Sequence, residues 1–276
     1  ITKAMFGLCA AALLAFPARA ARAQSGDEPN LIFSITGGYT GGGRLWKLDK
    51  QAVAVLPGSQ FDTVSLERRL RPGFSAVLGA TLFRSRHLGV GLEVALFALG
   101  SESRCAPPDS FRTDPQRLNE QTCASIQGKH IPTSMVAFQG GLTYQLGDRL
   151  GAQPYLRAGG GLAILGNSFV QTTAEVVSNN PTSCRTGCSR LVLDAPQRKE
   201  FVWTATLAAG VALPMGPGYR FRAEVRDGIT ALPVVTGPAN PLSTTLFAET
   251  ATSVHHVLSL TFGIDVLLER RRTRRY

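Results

Sequence analysis

His256–Leu268 reads HVLSLTFGIDVLL, and its alternation decides the fold. His256, Leu258, Leu260, Phe262, Ile264, Val266 and Leu268 share one face, and Val257, Ser259, Thr261, Gly263, Asp265 and Leu267 share the other. A period of two means a strand rather than a helix. Its length suits a tilted strand crossing a bilayer, which needs roughly 9–11 residues. One face is large and apolar; the other is mostly small, with one carboxylate.

The same pattern recurs upstream. Candidate strands are Leu31–Tyr39, Gly73–Phe83, His87–Leu99, Thr133–Leu146, Pro154–Leu165, Phe201–Leu213 and Tyr219–Ile229, which with the last stretch makes eight. Links alternate between long and short. Long segments fall at about 40–72, 100–132, 166–200 and 230–253. Short ones are Arg84-Ser85-Arg86, Gly147-Asp148-Arg149 and the Gly/Pro turn from Pro214 to Gly218. An even strand number with alternating links predicts an all-β fold: an eight-stranded antiparallel up-and-down transmembrane β-barrel with tight periplasmic turns, long outer loops and both termini periplasmic. Tyr39, Tyr144, Phe201, Trp203 and Tyr219 lie near strand ends, where an interfacial aromatic girdle belongs.

Alternation alone does not say which face points outward. A soluble barrel puts its apolar face inside and a charged face in water. Here the second face is Gly, Ala, Ser and Thr, with few charges and no lysine. That suits a narrow interior, so the apolar face is assigned to lipid. No apolar stretch of about 20 residues provides a helical span, and only helices and closed barrels satisfy their backbone groups in lipid.

Residues 1–23 read as a secretory signal: Lys3, an apolar run from Met5 to Phe16, and a small-x-small site at Ala18–Ala20 or Ala21–Ala23. Residues 24–276 are then one barrel domain. The formal net charge of +10 is concentrated at the ends: Lys3, Arg19 and Arg22 fall in the signal, and Arg270, Arg271, Arg272, Arg274 and Arg275 in the last residues. A terminal basic tail on an exported chain argues against nucleic-acid binding. Cys105, Cys123, Cys184 and Cys188 fall in loop-like sequence of an exported chain, so disulfides are expected. Local bridges Cys105–Cys123 and Cys184–Cys188 are the simpler pairing, and crossed pairing stays open. The spacing does not fit a zinc site, and no cofactor motif occurs.

The Gly-rich alternating strands YLRAGGGLAIL (Tyr155–Leu165), RFRAEVRDGI (Arg220–Ile229) and the last strand make residues 31–269 resemble the eight-stranded outer-membrane β-barrel proteins of the OmpA transmembrane-domain and OmpX type. The resemblance implies contact with outer-membrane lipid and lipopolysaccharide, handling by the barrel assembly machinery, and a monomer. One departure is the last strand, which in that family ends in an aromatic residue. Here Tyr276 is set apart by the basic run, leaving Phe262 and Tyr276 as candidates.

The charged residues assigned to the lumen are Glu93, Arg157, Arg220, Arg222, Glu224, Arg226 and Asp265. In a low-dielectric interior they must pair or be solvated. At eight strands the interior is about filled by side chains, so the expectation is a plug of ion pairs; a porin-like channel for small or hydrophobic solutes is the alternative. The barrel's role is then structural or surface-binding, adhesin-like. A lipid A-modifying enzyme is the third reading, on His255, His256 and Ser259. It lacks a His-x-Ser pair and an evident carboxylate, so the chain is read as non-enzymatic. Arg68, Arg69 and Arg71 are candidate contacts for lipopolysaccharide phosphates, with a solvated loop cluster as the plain alternative.

Overall fold

The computed structural model describes residues 30–55, 60–107, 117–146, 151–176, 188–194, 201–243 and 245–268. The predicted signal segment and the basic tail lie outside these. The elements are β1 (Asn30–Thr40), β2 (Arg44–Ala54), β3 (Phe61–Phe83), β4 (Leu88–Ala106), α1 (Leu118–Ile126), β5 (His130–Gln145), β6 (Gln153–Leu165), β7 (Thr172–Val176), β8 (Cys188–Leu193), β9 (Phe201–Gly216), β10 (Tyr219–Gly237) and β11 (Glu249–Leu268).

Eight of the strands form a closed antiparallel ring in the order β1-β11-β10-β9-β6-β5-β4-β3, completed by pairing of β3 with β1. Closure is continuous: β1 runs in register with β11 from Leu31↔Leu268 to Thr40↔Ser259, and with β3 from Asn30↔Phe83 to Thr40↔Gly73. The apolar face of each strand points outward. Ile35, Phe74, Leu92, Leu142, Leu156, Leu207 and Leu258 are each at least half exposed, whereas Ser34, Thr36, Thr81, Thr143, Thr206 and Thr261 on the alternate face are buried. A belt of this size contacting water would be strongly unfavourable; contact with lipid removes that cost. Aromatic side chains border the belt at both ends, Tyr144 and Tyr219 at the turn end and Tyr39, Phe74, Phe201 and Trp203 at the loop end. The architecture is an eight-stranded transmembrane β-barrel.

Small residues on the inner face make room for large neighbours. At Gly210 a Cβ would fall 2.5 Å from the Tyr155 hydroxyl and 2.6 Å from the Ala223 carbonyl, so only glycine leaves space for that ring.

The long links depart from the expectation of outer loops. β3 begins at Phe61, β4 continues to Ala106, β10 to Gly237, and β11 begins at Glu249, well beyond the apolar belt. The cause is local: alternation does not stop where the lipid-facing pattern does. Val64, Leu66, Arg68 and Leu70 of β3 point inward, with Thr63 and Arg69 outward. With β2, α1 and the β7–β8 hairpin these extensions build a folded cap. Its core, Trp46, Leu48, Leu66, Ile126, Phe169 and Leu193 among others, is continuous with buried apolar residues at the loop end of the barrel.

Polar ties hold the cap together. Asn119 of α1 donates to Asp62 of β3 at 2.8 Å, and Arg190 of β8 donates to Asn119 at 2.9 Å and to the Ala54 carbonyl at 2.8 Å. The Gln51 side chain accepts from the Ala239 backbone N–H at 2.9 Å and donates to the Ala239 carbonyl at 3.2 Å. Cys105 of β4 is bonded to Cys123 of α1, the local pairing. Cys184 and the side chain of Cys188 lie outside the described residues, so their expected bridge does too. Because the barrel's hydrogen-bond ladder makes no use of the Cys105–Cys123 bond, reduction is expected to expose α1 to protease while leaving the barrel folded. Proteolysis with and without reductant, followed on a cold-sample gel, checks this; simultaneous loss of the barrel band is the contrary result.

Candidate functional site: a charged lumen beneath an apolar plug

The inner face of β10 carries Arg220, Arg222, Glu224 and Arg226 because residues two apart point the same way. Three cations in one row repel unless carboxylates stand near them; β10 supplies Glu224, the adjacent β11 supplies Asp265, and β4 supplies Glu93 from across the ring. Arg226 donates from Nε to Glu224 at 2.9 Å and its Nη2 lies 3.1 Å from Glu93 of β4. Glu93 also pairs with Arg157 of β6. Arg222 reaches Asp265 of β11 at 3.1 Å, and Arg220 donates to Gln153 at 2.6 Å. All seven sequence-assigned lumen residues therefore meet inside one ring.

Tyr155 ties the cluster together. Its hydroxyl donates to Glu224 at 2.8 Å, and the Arg222 guanidinium lies 4.9 Å from its ring centroid, within cation–π range. Parity places Tyr155 on the inner face, and its inward neighbour Arg157 was the available signal for a role. Above the ions lies a layer of neutral polar groups. Gln139 accepts from Thr206 at 2.8 Å and donates to Thr204 at 3.2 Å, and Thr204 is 3.1 Å from Thr230. A cavity of about 10 Å³ beside Glu93, Gln139, Thr143 and Arg157 has room for about one water.

Nearer the loop end the inner face turns apolar. Val77, Ala95, Phe97, Leu99, Met135, Ala137, Ala163, Leu165, Val202 and Val257 are all buried and belong to the same core as the cap. The lumen thus passes from an ion-paired cluster to a mainly apolar layer in which Ser75 and Thr133 are also buried.

Over this plug sits Arg68, fully buried. Its guanidinium lies 5.8 Å from the Trp46 ring and donates to the Gln171 carbonyl at 2.6 Å and to Thr172 at 2.9 Å. Burial pulls it down to about 10, so it remains charged at neutral pH. This corrects the grouping of Arg68 with Arg69 and Arg71 as surface phosphate contacts: the three alternate, and Arg68 takes the inward position. Arg69 pairs with Glu67 at 2.9 Å, and Arg71 is exposed.

The histidines separate in the same way. His256 faces outward and lies 2.8 Å from Asp227, a carboxylate partner that sequence reasoning missed. It joins them across β10 and β11, where Asp227 pairs with Leu258 and Ile229 with His256. Ser259 is buried in the lumen, within 3.4 Å of the Thr40 hydroxyl, on the opposite face of β11 from His256. A serine attacking with His256 as base is therefore not assembled.

These features define a transmembrane barrel with an ion-paired interior. No family model and no curated protein matches the chain. Among solved structures it is similar to Neisserial surface protein A, at 12% identity over 87% of this chain and 99% of that one, TM-score 0.38. It is also similar to the outer membrane protein AlkL, at 10% identity over 92% and 96%, TM-score 0.39. A third is Ail, the attachment invasion locus protein of Yersinia pestis, at 12% identity over 86% and 99%, TM-score 0.34.

Proposed function

We propose that this is an integral outer-membrane protein, a monomer inserted by the barrel assembly machinery, with both termini in the periplasm and a folded cap at the cell surface. Its role is structural or surface-binding, adhesin-like, and non-enzymatic. The observation that carries the sealed-barrel reading is the continuity of the apolar plug with the cap core. Ions cross a mainly apolar layer only at high cost, and the charged side chains below it are engaged with one another. The exposed apolar belt bordered by aromatics at both ends supports residence in a bilayer. Among the described residues the cap is the folded part outside the apolar belt, which makes it the surface offered to partners.

The purified protein in planar bilayers is expected to give no stable conductance at moderate voltage. Steady single-channel openings would overturn the sealed-barrel reading in favour of a minor solute channel.

A further inference from the structure

β2 and β3 bring a second arginine to Arg69 that the sequence does not place there. Arg44 and Arg69 are register partners in this pair. The turn before Arg44 presses on β3: a Cβ at Gly42 would collide with the Leu70 carbonyl, and the Gly43 carbonyl accepts from the Leu70 N–H at 2.7 Å. Arg71 follows on the outward face of β3, and the strand irregularity between Arg71 and Phe74 returns Phe74 to that same face. Reading down β3 from the cap, the outward side chains are therefore Arg69, Arg71, Phe74, Ala76 and Leu78. Cation gives way to aromatic and then to aliphatic. Phe74 packs edge-on against Tyr39, ring centroids 6.2 Å apart, at the loop end of the apolar belt.

Arg44 and Arg71 are exposed and have no carboxylate partner among the described residues; Arg69 is shared with Glu67. On β9–β11 the outward positions beside the loop-end aromatics are Trp203, Val254 and the Asp227–His256 pair, without Arg or Lys among the described residues. Among the described residues of β2, β3 and β9–β11, the outward Arg and Lys side chains thus lie on the β2–β3 side of the rim, directly above an aromatic ledge.

We propose that Arg44 and Arg71, with Arg69 between them, bind the phosphate of an outer-leaflet lipid A-type glycolipid whose acyl chains lie along Phe74 and Leu78. The chemistry fits. A planar guanidinium matches phosphate oxygens in a bidentate manner, and the order of side chains follows headgroup, interface and hydrocarbon. The site rests on the outer-membrane reading, but it can fail while that reading stands.

The test uses the full chain in detergent micelles, with bis-phosphorylated lipid A and fully dephosphorylated lipid A as probes and binding read by native mass spectrometry. Wild type is expected to prefer the phosphorylated form, with binding that weakens as salt rises. The R44Q/R71Q double variant is expected to lose about tenfold in affinity for it. R86Q, which removes an exposed arginine in the turn between β3 and β4 at the opposite end of the barrel, is expected to bind as wild type does. Unchanged binding by the double variant, equal binding of both lipids by wild type, or an equal loss in R86Q would each overturn the site. So would a double-variant loss seen for a sulfated heparin oligosaccharide but not for lipid A. Gel mobility of boiled and unboiled samples reports separately on the barrel, so a chain that never forms one is not confused with a barrel that ignores phosphate.

Discussion

Glu224→Ala is expected to destabilise the barrel by about 3–5 kcal/mol, while Glu249→Ala changes stability by less than about 0.5 kcal/mol. Glu224 is 2% exposed and accepts from Arg226 and Tyr155. Its removal leaves three inward arginines of β10 with Glu93 and Asp265 alone to offset them, deep in a ring with little room for compensating water. Glu249 stands on the exposed side of the cap at the start of β11. The two variants thus compare an uncompensated buried charge with a solvated one. Urea unfolding of both in the same detergent provides the comparison; coincident midpoints would mean that water reaches the lumen freely and that the ion cluster is not a plug.

Trp46→Ala is the second large effect, about 3–5 kcal/mol on the cap. Trp46 is 5% exposed, its indole N–H donates to the Phe169 carbonyl at 3.0 Å, and it carries the Arg68 guanidinium on its ring. Truncation would open a cavity in the cap core and leave that carbonyl and that cation without a partner on one side. Trypsin is expected to cut the variant's cap rapidly at sites that resist in wild type, with the boiled-versus-unboiled gel shift retained. An unchanged digestion pattern would show that the cap does not depend on this core.

The barrel was legible because its physics is written at a period of two. Leu258, Leu260 and Phe262 announce a lipid face, and Ser259, Thr261 and Gly263 announce a crowded interior. The seven inward charges were legible for the same reason, since a charged residue between two lipid-facing ones has only the lumen to occupy. Asp265 could be named as a partner for β10 from strand adjacency, although it reaches Arg222 rather than its register partner Arg220. The cap was harder to read. Val64, Leu66 and Leu70 alternate as well as any barrel strand, but their outward neighbours are charged, so the segment resembled a polar loop. Arg68 shows the cost of reading a cluster by composition: the parity that separates it from Arg69 was present in the sequence. The pairings of Arg44 with Arg69 and of His256 with Asp227 were not, because each depends on a register between strands that no local pattern fixes.

The Gln51–Ala239 pair has a consequence for solubility. Among the described residues β2 is the last strand of its sheet and pairs with β3 alone, so one row of its backbone groups faces away from that ladder. Such an edge is a template for a second chain. Here an amide side chain imitates one more peptide unit and engages Ala239, two residues past the end of β10, with both its donor and its acceptor. That contact ties the edge strand to its own molecule at this point, which limits the approach of a neighbouring copy there.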